Sequence, residues 1–338
     1  MVTVAVAGLG SVGRQIVLAC ARRGHTVIGL TCTPTQPEAI AASGAQIVVL
    51  EDYDSVPTLA DAVGGADAVI SCVFSADAAA CLRAQENLLA ACCLPGSRVR
   101  RFAPSEFAYA AAANHTMQLY APKRDVWRAV QRSPIPEFTA FRTGQFLNYL
   151  AFGSPWDGGE ARGDGAAETR EGEEAGLAGG LAGARAMPFI VDVAAGRAEV
   201  PGTGNEPVTM VRTQDVGEFV AQAVELSAPW PAELGMGGCV TTYNAVVAEA
   251  QRLTGRPFTV TYRTVAELED MIRQEDEAER SSAATTAGAG RKFYLQAMLA
   301  VARGEACVDM NLNSMVDVPA WTMEQFMERW WGKGAGPV

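Results

Sequence analysis

Three groups of residues in this sequence have the types and spacing to do chemistry. Gly8-Leu9-Gly10-Ser11-Val12-Gly13 reads G-x-G-x-x-G, directly after an apolar run and directly before a helical pattern. In that setting the first glycine permits a tight turn, the second lets backbone approach a pyrophosphate, and the third lets helix pack on strand. The helix start adds free N–H groups, those of Ser11 and Val12 among them, and the positive end of the dipole. The second group ends the next strand. Sites that take an unphosphorylated ribose place an Asp or Glu there, whereas this chain has Thr31-Cys32-Thr33-Pro34-Thr35 and no carboxylate before Glu38. A 2′-phosphate is then not repelled; Thr31 and Thr33 can donate to it and Arg14 can pair with it, so NADPH is expected over NADH. The third group is Lys123. Pro122 suits a first helical position, which puts Lys123 in the first turn, on the face carrying Val126, Trp127 and Val130. A cation there opposes the helix dipole, and desolvation acts in the same direction, so the amine titrates low enough for general acid or base work. A lysine snorkelling at a helix end is the plain alternative.

The elements that must position these groups follow from periodicity. Residues 2–7 form an apolar strand, the stretch from Gln15 to Ala21 a helix ended by Gly24, and Val27–Leu30 a second strand. Further strands are expected at 46–50, 68–73 and 99–103, with helices at 40–43, 59–63 and 78–93 between them. Strand and helix alternating at this spacing mean an α/β fold with a doubly wound, Rossmann-like parallel sheet. We assign it residues 1–152. Residues 153–338 then form a smaller C-terminal α/β substrate-binding region, some segments of which return to the sheet. Residues 153–186 are glycine-rich and acidic with little periodicity, so they read as a flexible loop, either a lid or a surface insertion. Helices resume at 216–226, 243–254 and 321–332, and residues 279–291 read as a loop.

Composition narrows the function. The net charge is −11, with no lysine or arginine block, so a nucleic-acid backbone would be repelled. No apolar run approaches the roughly 20 residues that span a bilayer, and the first residues lack a basic region ahead of the strand, so no membrane and a cytoplasmic location are expected. The eight cysteines include no CxxC pair and read as reduced core residues. With His25 and His115 the only histidines, no metal site is expected.

Longer motifs carry a resemblance. Arg101-Phe102-Ala103-Pro104-Ser105-Glu106-Phe107 resembles the R-F-x-P-S-E-F signature of the isoflavone reductase-like (NmrA-like) family of atypical short-chain dehydrogenases. Lys123–Val130, Phe146–Leu150, Val200–Gly204 and Thr213–Gly217 agree with it, and Trp330-Trp331-Gly332 resembles fungal-type members. The family's glycine pattern is G-x-x-G-x-x-G; the departure here leaves the pyrophosphate turn intact. The resemblance implies NADPH-dependent reduction of a small hydrophobic aromatic or polyketide-like metabolite, with Lys123 beside the nicotinamide as the catalytic lysine. The nucleotide-sensing regulators of the family lack that lysine. Tyr149 falls near a family tyrosine of the substrate pocket and joins Lys123 as a catalytic candidate. The cofactor set is Gly8, Gly10, Ser11, Val12, Gly13, Arg14, Thr31, Thr33, Val73, Phe74, Pro104, Ser105 and Lys123, of which Val73 to Ser105 lie at the carboxyl ends of strands, where open sheets bind ligands. Substrate candidates are Phe107, His115, Tyr149, Phe152, Trp156, Met187 and Phe189; several of them serve equally well as packing residues. Glu106 is expected to bond backbone N–H groups of its own loop. A sensing regulator, and an enzyme that keeps the cofactor but cyclises or isomerises, are the alternatives, and a homodimer is compatible with either.

Overall fold

The protein is described by a computed structural model covering residues 1–34, 38–75, 77–154, 189–281 and 286–332. Its first half alternates β1 (Thr3–Ala7), α1 (Ser11–Arg22), β2 (Thr26–Thr31), α2 (Glu38–Ala42), β3 (Gln46–Val49), α3 (Val56–Val63), β4 (Ala68–Ser71), α4 (Ala78–Cys92) and β5 (Arg101–Ala103). The short helix α5 (Ala113–Thr116) and then α6 (Ala121–Arg132) lead to β6 (Glu137–Phe138). These six strands form one sheet in the order β3-β2-β1-β4-β5-β6, every pairing parallel. This is the Rossmann-like sheet expected from the alternation. β4 is buried along its whole length and β1 at all but its first residue, as parallel strands covered on both faces must be. Side-chain caps set the helix starts: Ser55 accepts from the Thr58 amide ahead of α3, and Asp77 from the Ala79 and Ala80 amides ahead of α4.

The second half adds β7 (Ala140–Arg142), β8 (Gln145–Phe146), β9 (Val191–Asp192), β10 (Arg197–Pro201), β11 (Val208–Val211), α7 (Thr213–Ala223), β12 (Glu233–Gly235), β13 (Cys239–Thr241), α8 (Tyr243–Thr254), β14 (Thr259–Arg263), α9 (Val265–Ser281), α10 (Thr286–Ala302) and α11 (Met323–Trp331). They make three small sheets: β14-β10-β9 and β13-β11-β8, each with one parallel and one antiparallel pairing, and the parallel pair β12-β7.

The chain does not leave the first sheet behind. α7 lies against α1, and a Cβ on Gly217 would stand 2.4 Å from the Gln15 carbonyl oxygen, so these helices meet backbone to backbone. Val4 and Val6 of β1, Ile16 and Val17 of α1, and Val216, Phe219 and Val220 of α7 form one buried cluster. Arg101 fastens the same join. Its guanidinium donates to the Val224 and Leu226 carbonyls just past α7 at 3.0 and 2.7 Å, bonds Glu137 at 2.9 Å, and stacks on Trp230 at 5.2 Å.

Residues 279–291 depart from the loop expected there. α9 runs through Ser281 and α10 begins at Thr286, residues 282–285 lying outside the description. Alanine is the strongest helix former, and Arg291–Glu275 (2.6 Å) and Lys292–Glu279 (2.9 Å) pairs tie one helix to the other. Of the expected flexible loop, residues 155–188 lie outside the described residues. Among the described residues no helix is long and apolar enough to cross a membrane, and no group of three His, Cys, Asp or Glu is arranged to hold a metal.

Candidate active site

The glycine turn closes β1 onto α1. Gly8 has φ +90°, which only glycine adopts easily, and a Cβ on it would stand 2.9 Å from the Cys72 carbonyl. A Cβ on Gly13 would stand 2.0 Å from the Gly8 oxygen, whereas a Cβ on Gly10 would meet nothing within 4 Å. Two glycines are thus spent on packing and the middle one keeps a cradle open. Gly10 caps α1 without any side-chain hydrogen bond, so the first N–H groups of the helix, including those of half-buried Ser11 and Val12, remain for an anion. Arg14 stands in the first turn with its Nε buried and unpartnered. An arginine with an unpartnered Nε in the helix turn that follows an open glycine cradle fits a dinucleotide carrying an additional phosphate.

At the end of β2, Thr31 is buried and its Oγ1 accepts from the Thr33 amide at 3.0 Å, turning the chain back over the sheet edge. Tyr53 braces this edge by donating to the Leu30 carbonyl at 3.2 Å. No lysine or arginine occurs between Arg23 and Arg83, so Arg14 is the cation this edge can draw on from the sheet's first helix.

Past β4, Val73 and Phe74 are half-buried, and past β5 Pro104 and Ser105 are buried. The Ser105 amide donates to Gln85 Oε1 at 2.7 Å, while its carbonyl accepts from Lys123 Nζ. Pro122 does fall in the first turn of α6, with Lys123 next to it on the buried side. The ammonium sits 5.0 Å from the centre of the Tyr120 ring. Burial lowers the Lys123 pKa below the ordinary 10.5; Glu106 pulls it back up and Arg142 pushes it down. An amine so placed can hand a proton to an oxygen that becomes negative nearby.

Several aromatic rings pack in pairs. Tyr149 packs on Phe189 at 5.3 Å, Phe189 meets Tyr294 edge-on at 5.5 Å, and Tyr120 meets Phe293 at 5.9 Å. Burial pushes the Tyr149 phenol up to about 12, so it keeps its proton and can only donate near neutrality. Phe152 is half-buried at the end of the short 3-10 turn Leu147–Ala151. Two expected substrate residues stand apart from this group. His115 is exposed on α5, and Phe107 stacks on Phe141 at 5.7 Å, which itself abuts Trp230 in the core. Trp156 and Met187 lie outside the described residues.

Sequence reasoning missed the polar support. Glu106 does not bond the backbone of its loop: its Oε2 accepts from Arg142 and from Asn114 Nδ2, the latter at 3.4 Å, and its Oε1 is buried without a partner. Arg142 reaches on to Glu233 at 3.1 Å. Glu106 and Arg142 are 36 residues apart, and no local pattern announces such a pair.

No curated protein matches the chain by sequence. Among solved structures, leucoanthocyanidin reductase from Vitis vinifera superposes with a TM-score of 0.69 at 16% identity, over 97% of this chain and 99% of that one. AtPrR2, solved with NADP+ and (+)-pinoresinol, superposes at 0.69 and 18% identity, covering 97% and 98%. The NADPH-dependent quinone oxidoreductase QOR2 from Escherichia coli gives 0.64 at 15% identity, covering 95% and 97%. At such identities the likeness is one of fold. The family model of the NmrA-like family matches residues 2–168, the span that holds the glycine turn, Ser105 and Lys123. Over that span the chain matches the NmrA-like family.

Proposed function

We propose that this protein is an NADPH-dependent reductase of small aromatic compounds of the secondary-metabolite kind. The observation that carries the reading is a buried lysine, Lys123, whose ammonium is fixed on the Ser105 carbonyl at the same strand edge as the open Gly10 cradle. The names of the structural neighbours support it, since they describe reductases or complexes with NADPH or NADP+. In this reading residues 1–152 hold the cofactor and residues 153–338 shape the substrate side. Gly8, Gly10 and Gly13 with the Ser11 and Val12 amides take the pyrophosphate. Arg14, Thr31 and Thr33 take the 2′-phosphate, and Val73, Phe74, Pro104 and Ser105 flank the nicotinamide. Bound there, NADPH supplies a hydride.

Lys123 then does two things. Its hydrogen bond to Ser105 holds Nζ at the strand end, and its lowered pKa makes it a ready proton donor to the substrate oxygen. Tyr149, Phe152 and Phe189 present flat apolar surface to an aromatic ring, the Tyr149 hydroxyl donating where the ring carries oxygen.

The test is oxidation of NADPH, followed by nicotinamide absorbance, across quinones, enones and isoflavone-like phenols. Turnover that falls about a hundredfold or more in Lys123→Ala, with NADPH affinity retained, is the expected result. Tight NADPH binding without oxidation of any compound would instead favour a sensing regulator or a non-reductive enzyme.

A further inference from the structure

Lys123 is one of only three lysines in the chain, with Lys292 and Lys333. The Tyr120 ring ahead of α6 touches it, and the groups whose charge would act on it come from several elements: Cys72 after β4, Cys81 on α4, Glu106 after β5 and Arg142 on β7. Burial holds the Cys72 thiol and the Tyr120 phenol in their neutral forms. The charged neighbours are therefore Glu106 and Arg142.

Their arrangement is not that of a simple ion pair. Glu106 is 1% exposed, and of its two oxygens only Oε2 is bonded, to Arg142 and Asn114. Oε1 is buried and bare, a state that costs free energy and calls for a reason. Neutralising Arg142 is not reason enough, because Arg142 also pairs with Glu233, whose side chain is 49% exposed and easily accommodated. Glu106 also directly follows Ser105, whose carbonyl takes the Lys123 ammonium. Carboxylate and amine thus depend on one stretch of loop.

We propose that Glu106 is a positioning residue for Lys123: its carboxylate, half-restrained by Arg142, keeps a proton on the lysine at the strand edge where a substrate oxygen would take it. Burial alone would strip that proton in a dry site. A carboxylate alone would hold it too firmly to release. Arg142 sets the balance by drawing on one oxygen of Glu106 while its own positive charge opposes the ammonium. Glu106 never touches substrate in this scheme; it acts through Lys123. The proposal rests on the reading of Lys123 as the proton donor.

Three lysines make the test direct. Full-length protein labelled with nitrogen-15 lysine gives at most three side-chain amine signals, and Lys123→Arg identifies the one that matters. Its titration midpoint should fall in Glu106→Gln by ~1 pH unit, a tenfold change in the ratio of ammonium to free amine. It should rise in Arg142→Gln and stay put in Glu233→Gln. Should Glu106→Gln fail to fold, Glu106→Asp, which withdraws the charge by one methylene, is expected to lower the midpoint by less. Folded Glu106→Gln with wild-type NADPH affinity and an unmoved midpoint would overturn the proposal, as would shifts of the same sign in Glu106→Gln and Arg142→Gln. The amine signal reads this coupling without any turnover. The loss of activity in Lys123→Ala reads the donor role, so the two readings fail separately.

Discussion

Replacing Gly10 and Gly13 one at a time separates the two tasks of the glycine turn. Gly10 has φ −78° and ψ −166°, a conformation open to any residue, and nothing lies within 4 Å of its would-be Cβ. Gly10→Ala therefore loses only the preference of a helix cap, about 0.5–1 kcal/mol, which in a chain of this size lowers Tm by no more than about 3 °C. The new methyl nevertheless stands in the cradle. Displacing the pyrophosphate from at least one N–H removes a charge-assisted hydrogen bond, about 1.5–3 kcal/mol, or about a ten- to hundredfold rise in Kd for NADPH. Gly13→Ala behaves in the opposite way. Its methyl would stand 2.0 Å from the Gly8 oxygen, far inside van der Waals contact. α1 must therefore shift off β1, at a cost of about 3 kcal/mol. Thermal melts with NADPH fluorescence titration on both variants decide the matter. A Gly10→Ala protein that melts normally and binds NADPH as tightly as the parent would refute the pyrophosphate assignment. A Gly13→Ala protein of unchanged stability would refute the packing argument.

Other consequences are equally open to measurement. Arg14→Ala should weaken NADPH binding about tenfold or more while leaving NADH unaffected, since the side chain with the unpartnered Nε is the cation proposed for the 2′-phosphate; equal losses for both cofactors would remove that role. Arg101→Met breaks bonds to Glu137, Val224 and Leu226 together with the stack on Trp230, and should cost about 3 kcal/mol in urea unfolding. A loss below about 1 kcal/mol would show that α7 needs no such fastening. Lys123→Met tests the lowered amine pKa through stability. Between the folded midpoint of Lys123 and 10.5, the unfolded chain binds more protons than the folded one, so wild type gains stability with rising pH. Wild type minus Lys123→Met should therefore rise in that window and level off above it; a flat difference would mean that the lysine titrates normally.

What could be read in the sequence depended on how locally each feature is encoded. β1 and β4 stand out because both faces of a parallel strand are covered, leaving uninterrupted apolar runs. The glycine turn was legible because its three glycines answer to three local demands, and Lys123 because Pro122 and the stripe of Val126 and Val130 place it. β6 and β8 are two residues long and take their form from their neighbours. The α9–α10 pair was misread because Ala, Ser, Thr and Gly look alike in a loop and in a weak helix; the deciding Arg291–Glu275 and Lys292–Glu279 pairs appear only after folding. The Glu106–Arg142–Glu233 chain was hidden for the same reason, its members coming from one loop and two strands. Phe107 adjoins Glu106 in the signature stretch yet turns into the core to stack on Phe141, a choice that residue type alone does not reveal.

The meeting of Gly217 with the Gln15 backbone has a practical corollary for dissecting the protein. A fragment ending near residue 152 would keep every strand of the large sheet and the glycine turn, yet would lack α7. One flank of the helix to which we assign the pyrophosphate would then face water, Ile16 and Val17 included. The nucleotide site is in that sense a joint product of two distant stretches of chain. Shortening the protein from its carboxyl end would loosen the grip on dinucleotide well before any residue that touches it had been removed.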